Sequence, residues 1–157
     1  MRHSIELVTA RDLADLLPLM RAYCDFYEAA PSDDALLGVS RALLADPDRA
    51  GGQLIARDEH SRASGFATLF WTWDTLEGCA IAVMNDLYVV PEARGGGLGD
   101  RLIDACVERC RARGLTRMDW QTAPENARAQ RIYDRRGARR EAAVVYELAL
   151  RSASLPG

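Results

Sequence analysis

The sequence predicts an α/β sandwich: a mixed, mostly antiparallel sheet of about six or seven strands flanked by about four helices. Three observations carry this. Residues 80–90 form a nearly continuous apolar run, the pattern of a buried central strand. Residues 98–113 put Leu98, Leu102, Ile103, Cys106, Val107 and Cys110 on one side of an amphipathic helix. The whole chain reads in the order β-α-α-β-β-β-α-β-α-β, with no repeat and no linker. One domain is expected over residues 1–150, and residues 151–157 read as a loose tail.

Each element has a local reason. Residues 4–8 alternate enough for a first strand. Thr9 and Asp12 have capping-box spacing, and Leu13, Leu16, Leu17 and Met20 then form a helical stripe running toward Tyr27. Pro31, Ser32, Asp33 and Asp34 break the chain and start a second helix that ends before Pro47. Residues 53–57 and 63–73 pair as a hairpin around Glu59, His60, Ser61 and Arg62. After the central strand and long helix come a short strand at 117–121 and a helix at 126–136. The latter has Asn126 as N-cap and Gly137 as left-handed stop. Residues 142–150 close the chain as a final strand.

Composition bounds the function. No apolar run approaches the ~20 residues that cross a bilayer, and the acidic, polar start has no signal-peptide pattern. Cys24, Cys79, Cys106 and Cys110 include no C-x-x-C pair, which points to buried, reduced thiols and a cytoplasmic setting. His3 and His60 lie in unrelated contexts, so no metal is assigned. Residues 1–90 hold 7 Arg against 14 Asp/Glu, whereas residues 91–157 hold 13 Arg against 9. A basic half suits a ligand with several phosphates, and an acidic half attracts a cationic amine. With a pI near 5.4 the chain lacks the electrostatic footprint of a nucleic-acid partner.

The chemistry concentrates in one stretch, from Asn85 to Asp100. The strand runs through Leu87, Tyr88 and Val89 into Pro91, then Arg94, then Gly95, Gly96 and Gly97, with Leu98, Gly99 and Asp100 opening the helix. A turn without side chains lets backbone N–H groups close around a phosphate. The helix adds the positive end of its dipole, and Arg94 adds a charge that forks onto phosphate oxygens. Two familiar cradles are excluded. A Walker A loop needs a lysine, and the chain has none; a dinucleotide fingerprint needs glycine where Asp100 stands.

The spacing present is Arg-x-x-Gly-x-Gly over Arg94, Gly97 and Gly99. A second run, Asn-x6-Tyr-x3-Gly, spans Asn126, Tyr133 and Gly137 and keeps Asn126 and Tyr133 on one helix side. Together these resemble the acyl-coenzyme A loop and the tyrosine-bearing segment of the GNAT superfamily of N-acetyltransferases. The resemblance is good over residues 50–150 and rests on element order alone before that. It implies acetyl-CoA as cosubstrate and a sheet whose central strands splay. Backbone groups of Leu87, Tyr88 and Val89 would bind the pantetheine, Arg94 through Asp100 the diphosphate, and Asn126 and Ala129 the pantetheine end. Tyr133 would be the acid that protonates the departing thiolate. A phenol titrates near ~10 and a thiol near ~8.5, so the tyrosine still carries its proton at neutral pH.

The base is open. Diamine and thialysine acetyltransferases, a similar branch, carry Glu-Asp-Leu where this chain has Asn85-Asp86-Leu87. Fungal acetyltransferases of histones and D-amino acids share the Asn-Asp-Leu-Tyr-Val run, with Trp120, Thr122 and Asn126 matching a further segment. Strand alternation puts Asp86 on the opposite face from Asn85. Asp86 then reads equally as a site residue or as a buried polar tie. Water chains, Glu28 or Asp25 are the other candidates. Trp71 and Trp73 share a strand face and could line an amine pocket by cation–π contact, although core packing is the commoner role. The resulting expectation is an acetyl-CoA-dependent transferase acting on a small primary amine (polyamine, amino acid or amino antibiotic), cytoplasmic and homodimeric, without membrane or nucleic-acid partner. A protein lysine or N-terminal acetyltransferase and a non-catalytic acyl-CoA-binding regulator are the alternatives.

Overall fold

The computed structural model describes residues 2–150, so the expected tail at 151–157 lies outside the described residues. The chain divides into two units, one reaching to Pro124 and one starting at Glu125. In the first unit β1 (Ser4–Leu7), α1 (Leu13–Phe26), α2 (Asp33–Ala45), β2 (Gly51–Arg57), β3 (Ala63–Asp74), β4 (Cys79–Val89), α3 (Leu98–Ala112) and β5 (Met118–Asp119) follow in order. The sheet order is β1-β2-β3-β4-β5, antiparallel as far as β4 and parallel between β4 and β5.

The elements start where local chemistry says they should. Thr9 and Asp12 close the expected capping box, with the Thr9 N–H donating to Asp12 Oδ2 at 2.8 Å. Ser32 caps α2 by accepting from the Ala35 N–H at 3.1 Å. Apolar periodicity then assigns the faces. Leu16, Leu19 and Met20 of α1 and Leu36 of α2 pack against Ile55 and Phe66. Neighbouring strand residues point to opposite faces. Consistently, a Cβ placed at Gly65 would meet Leu102 of α3 at 3.2 Å. The sheet is thus covered by α1 and α2 on one face and by α3 on the other.

Two irregularities in β4 matter for everything that follows. Thr68 pairs with Asp86 but Leu69 pairs with Met84, so Asn85 is an extra residue and forms a β-bulge. On its other edge β4 pairs with β5 only at Ala82 and Val83. Arg117 pins that short contact through ion pairs to Asp74, to Glu77 at 3.3 Å and to Asp119 at 3.0 Å. Among the described residues no strand continues along β4 from Met84 to Val89.

The second unit contains α4 (Ala127–Arg135), capped by Asn126 Oδ1 accepting from the Ala129 N–H at 3.1 Å. Gly137 follows with φ 72°, as the left-handed stop requires. The expected strand at 142–150 does not form, and among the described residues the sheet has five strands rather than six or seven. Val144, Val145, Tyr146, Leu148 and Leu150 are 72–89 % exposed there. Their alternation suits a strand, but a strand is stable only on a partner edge, and among the described residues this segment is assigned to no ladder.

At Gly65 β3, β4 and α3 approach closely, since an added Cβ would lie 2.6 Å from the Tyr88 carbonyl oxygen. Gly65→Ala is expected to destabilise the fold by about 1–3 kcal/mol, because backbone rather than a flexible side chain must give way. Urea denaturation measures this as a lower midpoint at unchanged slope.

Candidate active site

Hydrogen-bond direction alternates along a strand, and that identifies the open groups of β4. The Val90 N–H donates to the Ser64 carbonyl at 3.0 Å, toward β3. Val89 and Leu87 therefore turn their N–H and C=O groups to the edge where no strand is paired, the Val89 carbonyl being taken there by Arg94, and Tyr88 turns its own toward β3. The expectation for Tyr88 is corrected here: its backbone is committed to the Phe66 pairing, and its ring faces α1.

Beyond Val89 a short 3₁₀ turn (Pro91–Ala93) leads to Arg94 and the glycines. Gly95 and Gly97 have φ of 87° and 79°, the left-handed region that a side chain disfavours, and nothing lies within 4 Å of a Cβ at either. Gly97 is the N-cap of α3 and brings no capping side chain to its first-turn N–H groups. Leu98 is buried and anchors the turn, whereas Gly95 and Gly96 are exposed. Arg94 is held in place: its Nε donates to the Val89 carbonyl at 2.8 Å and its guanidinium lies 5.7 Å from the Tyr88 ring centroid. No other acceptor among the described residues is bonded to its terminal nitrogens. An open strand edge, a bare helix start and a fixed guanidinium follow one another along the chain. This fits a ligand with an extended amide arm and a diphosphate.

On the α1 face the bulge gathers a polar cluster. Asn85 Nδ2 donates to Asp86 Oδ1 at 3.0 Å, so the expected separation of these side chains is corrected: the bulge breaks the alternation. The Tyr23 hydroxyl donates to the Asn85 carbonyl at 3.4 Å, and it and the Thr68 hydroxyl, which sits opposite Asp86 in the β3–β4 ladder, lie beside the Asp86 carboxylate. Burial raises the Asp86 carboxyl above its ordinary range, and these donors only partly offset it. Burial, and the Asp86 charge after it, push the Tyr23 phenol well above its usual value. Tyr23 is therefore a hydrogen-bond donor and not a base. Tyr27 and Phe26 extend from Tyr23 as edge-on ring pairs, each with centroids 5.0 Å apart.

The other expected residues fall elsewhere. Trp71 lies on the α3 face, where its Nε1 donates to the Pro47 carbonyl at 2.9 Å and Arg113 stacks 4.6 Å from its ring. A protein cation already occupies that ring, just past the C-terminal end of α3, while the glycine turn is at the N-terminal end. Trp73 is 77 % exposed and pairs with Ala80, five positions before Asn85 or roughly 17 Å along the strand. Glu28 is exposed in the left-handed residue that closes α1, with φ 55°, and is not bonded to Asp86 or Asn85. In the second unit Asn126 uses Oδ1 as the α4 cap, Ala129 supplies the capped N–H, and Tyr133 is half-buried on the same helix. Among the described residues no cluster of potential metal ligands exists. Tyr23, Thr68 and Gln53 were missed from the sequence. For Gln53 and Thr68 the available signal was a polar residue flanked by apolar ones in strands 51–57 and 63–74.

Comparison with known proteins decides the family. The Acetyltransferase (GNAT) family model matches residues 16–138. This chain belongs to the GNAT family. It is 29 % identical over 143 residues to the uncharacterized N-acetyltransferase YhfO of Bacillus subtilis (strain 168), covering 91 % of this chain and 94 % of that one. It is 34 % identical over 116 residues to the L-2,4-diaminobutyric acid acetyltransferase of Streptomyces coelicolor, covering 69 % of this chain and 65 % of that protein. The solved aminoglycoside N-acetyltransferase AAC(6')-Iy in complex with a CoA bisubstrate analog has the same fold. Its TM-score is 0.83 at 23 % identity, covering 96 % of this chain and all of that one. The GNAT chain described here is an acyltransferase, and acetyl-CoA is the cosubstrate of its family.

Arg94→Ala is expected to weaken coenzyme A binding about tenfold or more, the scale of one charge-assisted phosphate contact. The loss should shrink as salt is raised. Isothermal titration with CoA measures both, and unchanged affinity would remove Arg94 from the diphosphate.

Proposed function

We propose that this GNAT enzyme transfers acetyl from acetyl-CoA to a primary amine of a small molecule by direct attack, with Tyr133 protonating the leaving thiolate. The observation that carries this reading is the unpaired edge of β4 at Leu87 and Val89, one residue from the Asp86 and Tyr23 cluster. The backbone of Leu87 and Val89 binds the pantetheine arm, and a pre-aimed N–H there polarises the thioester carbonyl, typically worth ~3 kcal/mol. Arg94 and the turn from Gly95 through Gly99 to Asp100 hold the diphosphate, and Asn126 and Ala129 flank the pantetheine end. The acceptor enters over the acidic Asn85–Asp86 side, which favours a cation. A relative named for acetylating L-2,4-diaminobutyric acid supports an amine of amino-acid size. Four free cysteines agree with work in the cytoplasm, and no described helix is long and apolar enough to cross a membrane.

A thiol-release assay with acetyl-CoA, run against small amines and basic peptides, tests the acceptor class. Turnover of small amines is expected, and turnover of peptides alone would point to a protein lysine instead. Tyr133→Phe is expected to bind CoA normally and lose about 100-fold in kcat. Wild-type turnover by that variant would exclude Tyr133 as the acid.

The same reading includes a homodimer, supported by the exposed, strand-patterned residues 142–150. Light scattering should report twice the chain mass, and Val145→Glu with Leu148→Glu should shift it to the monomer. A wild-type monomer at high concentration would remove the dimer.

A further inference from the structure

A small cavity lies where β1 stops, on the side of the sheet order away from the open edge of β4. β1 ends at Leu7 opposite Leu54, and the Val8 N–H makes a last hydrogen bond to the Gln53 carbonyl at 2.9 Å. Gly52 comes next along β2, and the end of α2 closes over the gap. The space measures about 80 Å³ and is walled by the apolar side chains of Leu7, Val8, Leu43, Leu44 and Pro47. Its polar lining is Ser40, Gln53 and, from α3, Arg109.

Packing alone does not account for three features of this lining. Gln53 is 3 % exposed, and its Nε2 is spent on Thr68 Oγ1 at 3.1 Å and the Met20 sulfur at 3.9 Å. Its Oε1 accepts no bond from a described residue, and a buried amide oxygen without a donor is costly. Arg109 makes no hydrogen bond or ion pair with a described residue, although it stands at an apolar cavity. Gly52 is the third feature. It lies outside the left-handed region, and within 4 Å a Cβ there would meet Leu7 Cδ2 alone, at an ordinary 3.7 Å. Neither conformation nor crowding requires a glycine, and glycine inside a strand weakens it. Its missing side chain keeps the cavity open.

We propose that this cavity is a second ligand site, which takes a short aliphatic hydroxy acid. The carboxylate pairs with Arg109, the carbon chain lies against the leucines, and a terminal hydroxyl donates to Gln53 Oε1. Each part follows from the lining. A guanidinium forks onto a carboxylate, and with a single cation lining the cavity the ligand carries a single negative charge. The volume is about half that of an engineered cavity that takes a benzene ring, which suits a chain of three or four carbons. The far end must donate a hydrogen, because Gln53 Oε1 can only accept. It is a hydroxyl and not an ammonium, since no carboxylate lines the cavity to neutralise a buried cation. Binding here is independent of the amine-transfer reading, because none of these residues belongs to the acetyl-CoA or acceptor side of β4.

The test is an NMR titration of the nitrogen-15-labelled full chain with 4-hydroxybutyrate, butyrate and 1,4-butanediol, following the Gln53 side-chain amide and the Gly52 backbone N–H. Saturable shifts of both signals are expected with 4-hydroxybutyrate. Butyrate, which lacks the hydroxyl, should bind several-fold more weakly, and butanediol, which lacks the charge, about tenfold more weakly. Arg109→Gln changes an exposed side chain with no described partner, so it keeps the fold and should lose the preference for the acid over the diol. Gly52→Val should fill the cavity and abolish the shifts, and Gly52→Ala replaces it if a thermal melt shows the valine variant unfolded. No saturable shift at millimolar 4-hydroxybutyrate means a cavity that holds water only, and this overturns the proposal. So does binding that is indifferent to both Arg109→Gln and the Gly52 variant, or an affinity for butyrate equal to that for the hydroxy acid. Acetyl transfer by the same preparation is scored separately in the thiol-release assay, so the amine-transfer reading fails or stands without altering this result.

Discussion

The structure turns on the unequal edges of β4. One edge is hydrogen-bonded to β3 along its length; the other is paired with β5 at only Ala82 and Val83. Backbone groups left open in this way act as a template for an extended partner. An amide-bearing arm can pair with Leu87 and Val89 as a strand would, with its direction set by the sheet. The glycine turn and the start of α3 follow directly at the end of the same strand, so one segment carries both an unpaired strand edge and a glycine turn. The Arg117 ion pairs confine β5 to the far end of β4 and so leave that edge open.

The bulge at Asn85 is the second consequence of β4. By inserting one residue it brings the Asn85 amide onto the Asp86 carboxylate and sets Asp86 opposite Thr68 on the α1 face. The carboxyl is then half-buried and raised in its affinity for protons. Apolar packing of Phe66 beneath Tyr23 and Tyr88 keeps that corner rigid, with ring centroids 6.0 and 6.4 Å apart. Gly65, paired directly with Val89, sits where a side chain would disturb the Tyr88 carbonyl.

Most element positions were legible from local signals. The capping residues Thr9, Ser32 and Asn126 and the stops at Pro47 and Gly137 act over a few residues, and apolar periodicity needs only one helix or strand. The segment at 142–150 shows the limit of that reasoning, because its alternation describes a strand while strand formation depends on an edge elsewhere. Trp71 shows a related limit. Alternation puts it on one face with Trp73, but Arg113 and the Pro47 carbonyl, both distant in sequence, determine what the ring does.

By itself the sequence determined the glycine cradle, the helix that follows it and the family, because those depend on residue types at fixed short spacings. Tertiary structure alone decided which backbone groups of β4 stay open, where the strand bulges, and that Gln53, Thr68, Asp86 and Tyr23 meet. Those four belong to four different elements, and only the register between strands, with the helix packed over them, brings their hydrogen-bonding groups into contact.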